Sequence, residues 1–185
     1  SESAEQTANG IYSQYEIYRL SEGVELVIFQ NGEEPPRPRS AQILEHLSQQ
    51  PGFPAEGELL DIGCGNGGLL KSFSSRFPDW KLYGFEPAPS AKTRRTVLEI
   101  PGVQDLYQGS LDSIQKKFDS ITLVHVFEHL PYPGVVLDQV RRLLKDEGWL
   151  FIQVPDVSVN PFDMVVIDHY SHFSPEVLSA YKTSR

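Results

Sequence analysis

The stretch that decides the fold is "LLDIGCGNGGLL", Leu59 to Leu70. An apolar pair leads into an acid, then spaced glycines, then a second apolar pair. Gly63, Gly65 and Gly68 fit the G-x-G-x-x-G spacing of a dinucleotide loop. In such a loop, glycines let the chain turn sharply and let a ligand approach the backbone. The helix that follows offers free N–H groups and the positive end of its dipole, which a pyrophosphate uses directly. Asp61 stands against that ligand, because a carboxylate at the strand end repels a diphosphate. A nucleoside that carries an ammonium group and no phosphate suits the stretch better.

On both sides of this loop the chain punctuates itself regularly. "ELLDIG" reads as a strand and "GGLLKSFSSRF" as a helix; "WKLYGFEP" and "APSAKTRRTVL" repeat the pair. "GVQDLYQG" is a third strand with "SLDSIQKK" as a turn or short helix. "FDSITLVHVF" is a fourth strand, "PGVVLDQVRRLLKDEG" a helix ending in Gly148, and "WLFIQVP" a fifth strand. Strands alternating with helices predict an α/β fold with a Rossmann-like, doubly wound, mostly parallel sheet of five strands flanked by helices. Such sheets bind ligands at the carboxyl ends of their strands, where the glycine loop falls. Residues 1–39 read as an N-terminal extension and linker, and residues 40–185 as the ligand-binding domain. Within the extension, Ile11, Tyr15 and Tyr18 recur at helical spacing, "VELVIFQ" is a strand or a continuing helix, and "NGEEPPRPRS" is a loop. Ser40 is expected to cap the helix that carries Ile43, Leu44 and Leu47.

The chain has 185 residues, enough for one domain with a sizeable core. A formal net charge of -9 argues against a nucleic-acid backbone as partner. The one dense basic stretch, Lys92 to Arg95, reads as a solvated helix face. Cys64 is the only cysteine, so no intrachain disulfide forms and a cytoplasmic setting is favoured. No apolar run approaches the ~18 residues of a membrane span.

Glu86, at the end of "LYGFEP", lies 18 residues after Gly68. A carboxylate there accepts both ribose hydroxyls of an adenosine ligand, in an NAD site or an S-adenosylmethionine site alike. Asp61 favours the second, whose methionine end is a zwitterion and whose sulfur is cationic. Ser110 or Asp112 meets the adenine edge in this reading, with Leu111 on its face; for Asp112 a helix cap or an exposed acid is an equal alternative.

"LLDIGCGNG", "GFEP", "GSLDSI", "FDSITLVHVFEHLPYP" and "LLKDEGWLFIQVPD" together resemble, in order and spacing, the successive motifs of class I S-adenosylmethionine-dependent methyltransferases. The resemblance spans roughly residues 40 to 175 and is nearest the small-molecule branch of quinone and sugar methylases. It implies that Asp61 and the backbone of Gly63, Cys64 and Gly65 hold the methionine portion. Glu86, with Pro87 beside it, takes the ribose. Ser110, Leu111 and Asp112 flank the adenine, and His125 lines the cofactor floor. Cys64 itself reads as a small buried thiol rather than a nucleophile.

Two polar clusters remain. "HVFEH", His125 to His129, matches the inverted zinc-peptidase motif, but Pro131 and Pro133 and the β-branched run before it deny the helix that motif needs, so no metal is expected. "DHYSHFSPEVL", Asp168 to Leu178, carries a helix start at Ser174–Pro175–Glu176. By the resemblance it lies near the acceptor, which makes His169, Tyr170 and His172, and then His129, candidates for substrate contact or general base. The alternative is that these histidines only fix the loop. Arg37 and Arg39 are read as solvated linker charge.

The expected activity is methyl transfer from S-adenosylmethionine to a small-molecule acceptor by direct displacement, leaving S-adenosylhomocysteine. A non-catalytic binding or scaffold protein of the same fold is the alternative, followed by an NAD-dependent oxidoreductase. The family pattern continues past the fifth strand through a helix into two further strands, whereas this sequence ends at "LSAYKTSR". The expectation is a C-terminally truncated domain whose exposed sheet edge favours a homo-oligomer.

Overall fold

The computed structural model describes residues 27–28 and 37–183. Five strands form one parallel sheet: β1 (Glu58–Ile62), β2 (Lys81–Phe85), β3 (Val103–Tyr107), β4 (Phe118–Val124) and β5 (Leu144–Gln153). Their spatial order is β3-β2-β1-β4-β5. The order therefore reverses between β1 and β4, which makes the carboxyl end of β1 the switch point where such sheets take ligands.

The central strand β1 is buried on both faces, which explains its apolar Leu59, Leu60 and Ile62 and leaves Asp61 as the one buried acid among them. Because side chains alternate across a strand, Leu59 joins one core and Leu60 and Ile62 the other. The first core packs β1 and β2 against Ile43, Leu44 and Leu47 of α1 (Arg39–Ser48) and Leu69, Leu70 and Phe73 of α2 (Gly68–Arg76). Val97 of α3 (Ala91–Leu98) closes it. The second core lies under Leu137, Val140 and Leu143 of α4 (Pro133–Leu143), with Leu178 and Tyr181 of α5 (Pro175–Thr183) against it. Helices thus cover both faces, and the doubly wound reading of the sequence holds.

Three local details differ from the sequence reading. Ser40 does not cap α1. Pro38 occupies the cap, while Ser40 is buried with its hydroxyl 2.7 Å from that of Ser72 on α2. The helix expected to run to Gly148 stops at Leu143: Leu144 already pairs with Phe118, and Trp149 pairs with Ser120. The register shift between these pairs is flanked by Lys145, whose Nζ lies 2.8 Å from Asp119 Oδ2. A side chain at Gly148 would crowd Leu144 Cγ at 2.7 Å. Thirdly, Arg37–Pro38, read as loop, forms a short antiparallel pair with Val27–Ile28, which selects strand from the two readings of "VELVIFQ" for its described part. The helical spacing of Ile11, Tyr15 and Tyr18 lies outside the described residues.

Ser90 caps α3 through Thr93 N–H at 3.0 Å, and Ser174, the expected helix start, accepts from Val177 N–H at 3.4 Å at the start of α5. Lys92 and Arg95 are solvent-facing. No helix among the described residues is long and apolar enough to cross a membrane. No described strand pairs with the outer edge of β5.

Candidate active site at the carboxyl ends of the strands

The glycine loop closes over the ends of β1 and β2. Gly63 and Cys64 donate their N–H groups to Phe85 O at 2.8 and 3.2 Å. Gly63 has φ +70°, and a Cβ there would run into Val126 Cγ2. Gly65 has φ +52° and donates its N–H to Glu86 Oε2 at 3.0 Å.

The third structurally required glycine is Gly67 rather than Gly68. Gly67 caps α2 in the left-handed region at φ +81°, and a Cβ there would lie 2.5 Å from Ile100 Cδ1. A Cβ on Gly68 meets nothing within 4 Å. Gly67→Ala is therefore expected to cost roughly 1–3 kcal/mol of stability. Gly68→Ala, inside the helix, should gain roughly 0.5–1 kcal/mol. Urea unfolding of the two variants checks both signs, and a Gly68→Ala variant less stable than Gly67→Ala would contradict this geometry.

Asp61 is 3% exposed, and its Oδ1 accepts the Thr122 hydroxyl at 2.7 Å across the paired strands. Burial pushes its carboxyl up from 3.8 to about 7, the Thr122 bond opposes this, and the neighbouring charge of Glu86 adds to it. Glu86, half-buried, is also raised by burial, with the Gly65 N–H bond pulling the other way. Two reluctant carboxylates thus stand beside the glycine loop, whose N–H groups are bonded to Phe85 O, Cys64 O and Glu86, an arrangement that welcomes a cation. Cys64 is buried, and burial together with Asp61 and Glu86 drives its thiol up, which keeps it un-ionised. Its sulfur fills the space left open by Gly84, where a Cβ would lie 2.7 Å away.

The remaining candidates divide. Gly109 N–H bonds to Pro87 O at 3.0 Å, bringing the end of β3 to the end of β2. Ser110 opens the one-turn 3-10 helix Leu111–Ser113, accepting from Asp112 N–H at 3.2 Å, and Leu111 is buried below. The Asp112 carboxylate is held by α4, accepting from Gln139 Nε2 at 2.8 Å and from Arg142 Nη2. His125 follows β4 at φ +53°, the one non-glycine residue with positive φ among the described residues. Its N–H is fixed to Gln153 O at 2.9 Å and its Nδ1 lies 3.0 Å from Glu128 Oε1. Such strain is held where surrounding structure over-determines it, characteristically at binding sites.

The "HVFEH" stretch contains only the 3-10 turn Phe127–His129, so no α-helix presents His125 and His129 together. His129 instead meets the histidines after β5. Its Nδ1 lies 3.2 Å from Asp168 Oδ2, and its ring stands edge-on to His169 at 4.7 Å. The loop is tied to Glu128 O by Tyr170 N–H at 2.9 Å. His169 and His172 place their Nδ1 atoms 2.7 and 2.9 Å from the two oxygens of Asp163, which is 3% exposed. The structure thus brings His129, His169 and His172 into one cluster at the carboxyl ends of β4 and β5. Val126 links it to the glycine loop through its contact with Gly63. Sequence reasoning missed Thr122, Gly67 and Asp163. The adjacency of Asp61 and Thr122 needed the strand order, and Asp163 sits in an apolar run whose spacing carries no signal.

With this geometry in view, comparison with known proteins is direct. A profile described as "Methyltransferase domain" matches residues 36–181. The chain belongs to that family and has the fold of the class I S-adenosylmethionine-dependent methyltransferases. It is 28% identical over 132 residues to a ubiquinone biosynthesis O-methyltransferase of Histophilus somni, covering 67% of this chain and 56% of the relative. It spans about half the length of the curated relatives it matches. Among solved structures, coclaurine N-methyltransferase bound to N-methylheliamine and S-adenosylhomocysteine matches with a TM-score of 0.58 at 15% identity, over 70% of this chain and 40% of that one. CalO1, a methyltransferase in calicheamicin biosynthesis solved with S-adenosylhomocysteine, gives 0.57 at 18% identity, over 76% and 46%.

Proposed function

We propose that this chain binds S-adenosylmethionine at the glycine loop and carries its methyl group to a hydroxyl of a small molecule held at the histidine cluster. The observation that carries the cofactor half is the Gly65–Glu86 contact. It sets the acid on β2 beside the loop after β1, where one nucleoside reaches both. In this reading Glu86 accepts the ribose hydroxyls, and Asp61 supplies negative charge behind the methionine end. The wall at Leu111 packs on the adenine.

Methyl transfer needs donor and acceptor in line and water kept out. A hydroxyl acceptor also needs somewhere for its proton to go, and the Asp163–His169–His172 arrangement is fitted for that. A carboxylate at Nδ1 fixes the tautomer and leaves Nε2 as the basic atom. The activity for which the matched relatives are named, O-methylation in ubiquinone biosynthesis, supports an oxygen acceptor.

His169→Ala and His172→Ala test the acceptor half. Each is expected to lower turnover with a small phenolic acceptor by about 100-fold or more, the usual weight of a positioned base, with S-adenosylhomocysteine affinity unchanged. Wild-type turnover in both variants would remove the histidines from the mechanism.

A further inference from the structure

We propose that Asp163, His169 and His172 bind a divalent transition-metal cation of the Zn2+ class. The way the segment after β5 is turned carries this inference. In the 3-10 helix Pro161–Val165, Phe162, Met164 and Val165 are 77%, 64% and 75% exposed, while Asp163 is 3% exposed. Burying an acid and exposing three apolar side chains are both unfavourable in water. A strong interaction at Asp163 has to offset them.

The two imidazoles supply it only in part. His172 Nδ1 is hydrogen-bonded to Asp163 Oδ2 at 2.9 Å. His169 Nδ1 lies 2.7 Å from Oδ1, yet this buried nitrogen has no aligned hydrogen-bond partner. A nitrogen that close to a carboxylate without sharing a proton is placed as a ligand atom is placed. Ligating atoms of the three residues lie within 4.8 Å of one another. Atoms bound at ~2.0–2.2 Å to one tetrahedral ion lie ~3.3–3.6 Å apart, so side-chain adjustment within this cluster completes the site. Two imidazoles and one carboxylate suit Zn2+, Co2+ or Fe2+ rather than Mg2+ or Ca2+, which take oxygen ligands. Three protein ligands leave coordination positions open, and His172, 30% exposed, faces solvent. His129, edge-on to His169 and bridged to Asp168, braces that ring from behind.

This rests on the reading above for the cation's role alone and revises its base: with the ion bound at Nδ1, the imidazoles are ligands and the ion takes over the acidifying of the acceptor. At the acceptor end, a hydroxyl oxygen occupying an open position is acidified and releases its proton to solvent. The oxygen then bonds to the methyl carbon as the C–S bond breaks, its electron pair going to sulfur.

The test is a titration of the untagged, chelator-stripped 185-residue chain with Co2+, followed in the visible d–d region, and with Zn2+ by calorimetry. The expected result is a single saturable equivalent of Co2+ that Zn2+ displaces. Affinity should fall at least about 100-fold in Asp163→Asn and in the more exposed His172→Ala, with circular dichroism unchanged in the latter. His46→Ala, on α1, should leave binding as in wild type. No saturable binding of either ion, or wild-type binding in a folded His172→Ala, would overturn the proposal. A parallel titration with S-adenosylhomocysteine keeps the two readings apart. Cofactor bound without metal overturns the metal site alone, whereas metal bound without cofactor supports the site and removes the proposed function.

Discussion

Glu86→Ala is expected to weaken S-adenosylhomocysteine binding by about 100-fold or more and to leave the domain folded. Hydrogen bonds to a charged acceptor contribute ~1.5–3 kcal/mol each, and two ribose hydroxyls converge on this carboxylate in the proposed complex. The variant also removes the acceptor for Gly65 N–H, 3.0 Å away, which steadies the glycine loop. The loss to the fold is small for a stated reason. Burial raises the Glu86 carboxyl, so its charge is held at a cost in the free protein, and deletion removes that cost with the bond. Glu86→Gln, which keeps the shape and one acceptor oxygen, should lose only about tenfold. Calorimetric titration of both variants, with thermal unfolding alongside, measures the two quantities separately. Equal affinities in wild type and Glu86→Ala would take the ribose away from this residue.

Asp61→Asn is expected to stabilise the free protein progressively as pH rises. The folded-state carboxyl sits at about 7 against an ordinary 3.8, with burial as the main cause. A folded pKa above the unfolded one means the native state holds the proton more tightly. The penalty is therefore absent well below the unfolded value, grows as pH climbs, and is complete above about 7. Relative to wild type, Asp61→Asn should gain roughly 2–3 kcal/mol between about pH 5 and pH 8. Any fixed cost of burying the amide cancels in that difference. The cofactor follows the opposite trend. An ionised Asp61 attracts the methionine-end ammonium, so wild-type affinity should rise about tenfold between about pH 5.5 and pH 7, and stay weak and flat in Asp61→Asn. Urea melts and cofactor titrations across that range check both. A pH-independent stability difference would mean that Asp61 does not titrate there.

Most of the sheet was legible because the physical signals were local. β1, β2 and β4 are buried on both faces, so their sequences are short, largely apolar runs; glycine closes β1 and the acid Glu86 closes β2. The glycine loop and Glu86 were legible for the same reason, each standing at a strand end. What failed was decided by contacts distant in sequence. The pairing of Leu144 with Phe118 ends α4 before its helical pattern runs out. Ser40 looks like a cap until Ser72 offers its hydroxyl a buried partner. Asp112, read as an adenine contact or equally as a cap or exposed acid, is engaged by Arg142 and Gln139 of α4, partners distant in sequence. The histidines were found by the polarity of their segment and by the family resemblance that sets it near the acceptor. Asp163, which organises two of them, was hidden because its apolar neighbours face outward and the acid inward.

The central claim is that the loop after β1 and the acid ending β2 form one S-adenosylmethionine site. Calorimetric titration of the chain with S-adenosylhomocysteine and, separately, with NAD tests it most directly. Saturable binding of S-adenosylhomocysteine with no binding of NAD, abolished in Glu86→Ala, is the predicted result. Binding of NAD in preference, or of neither ligand by a folded chain, would contradict it.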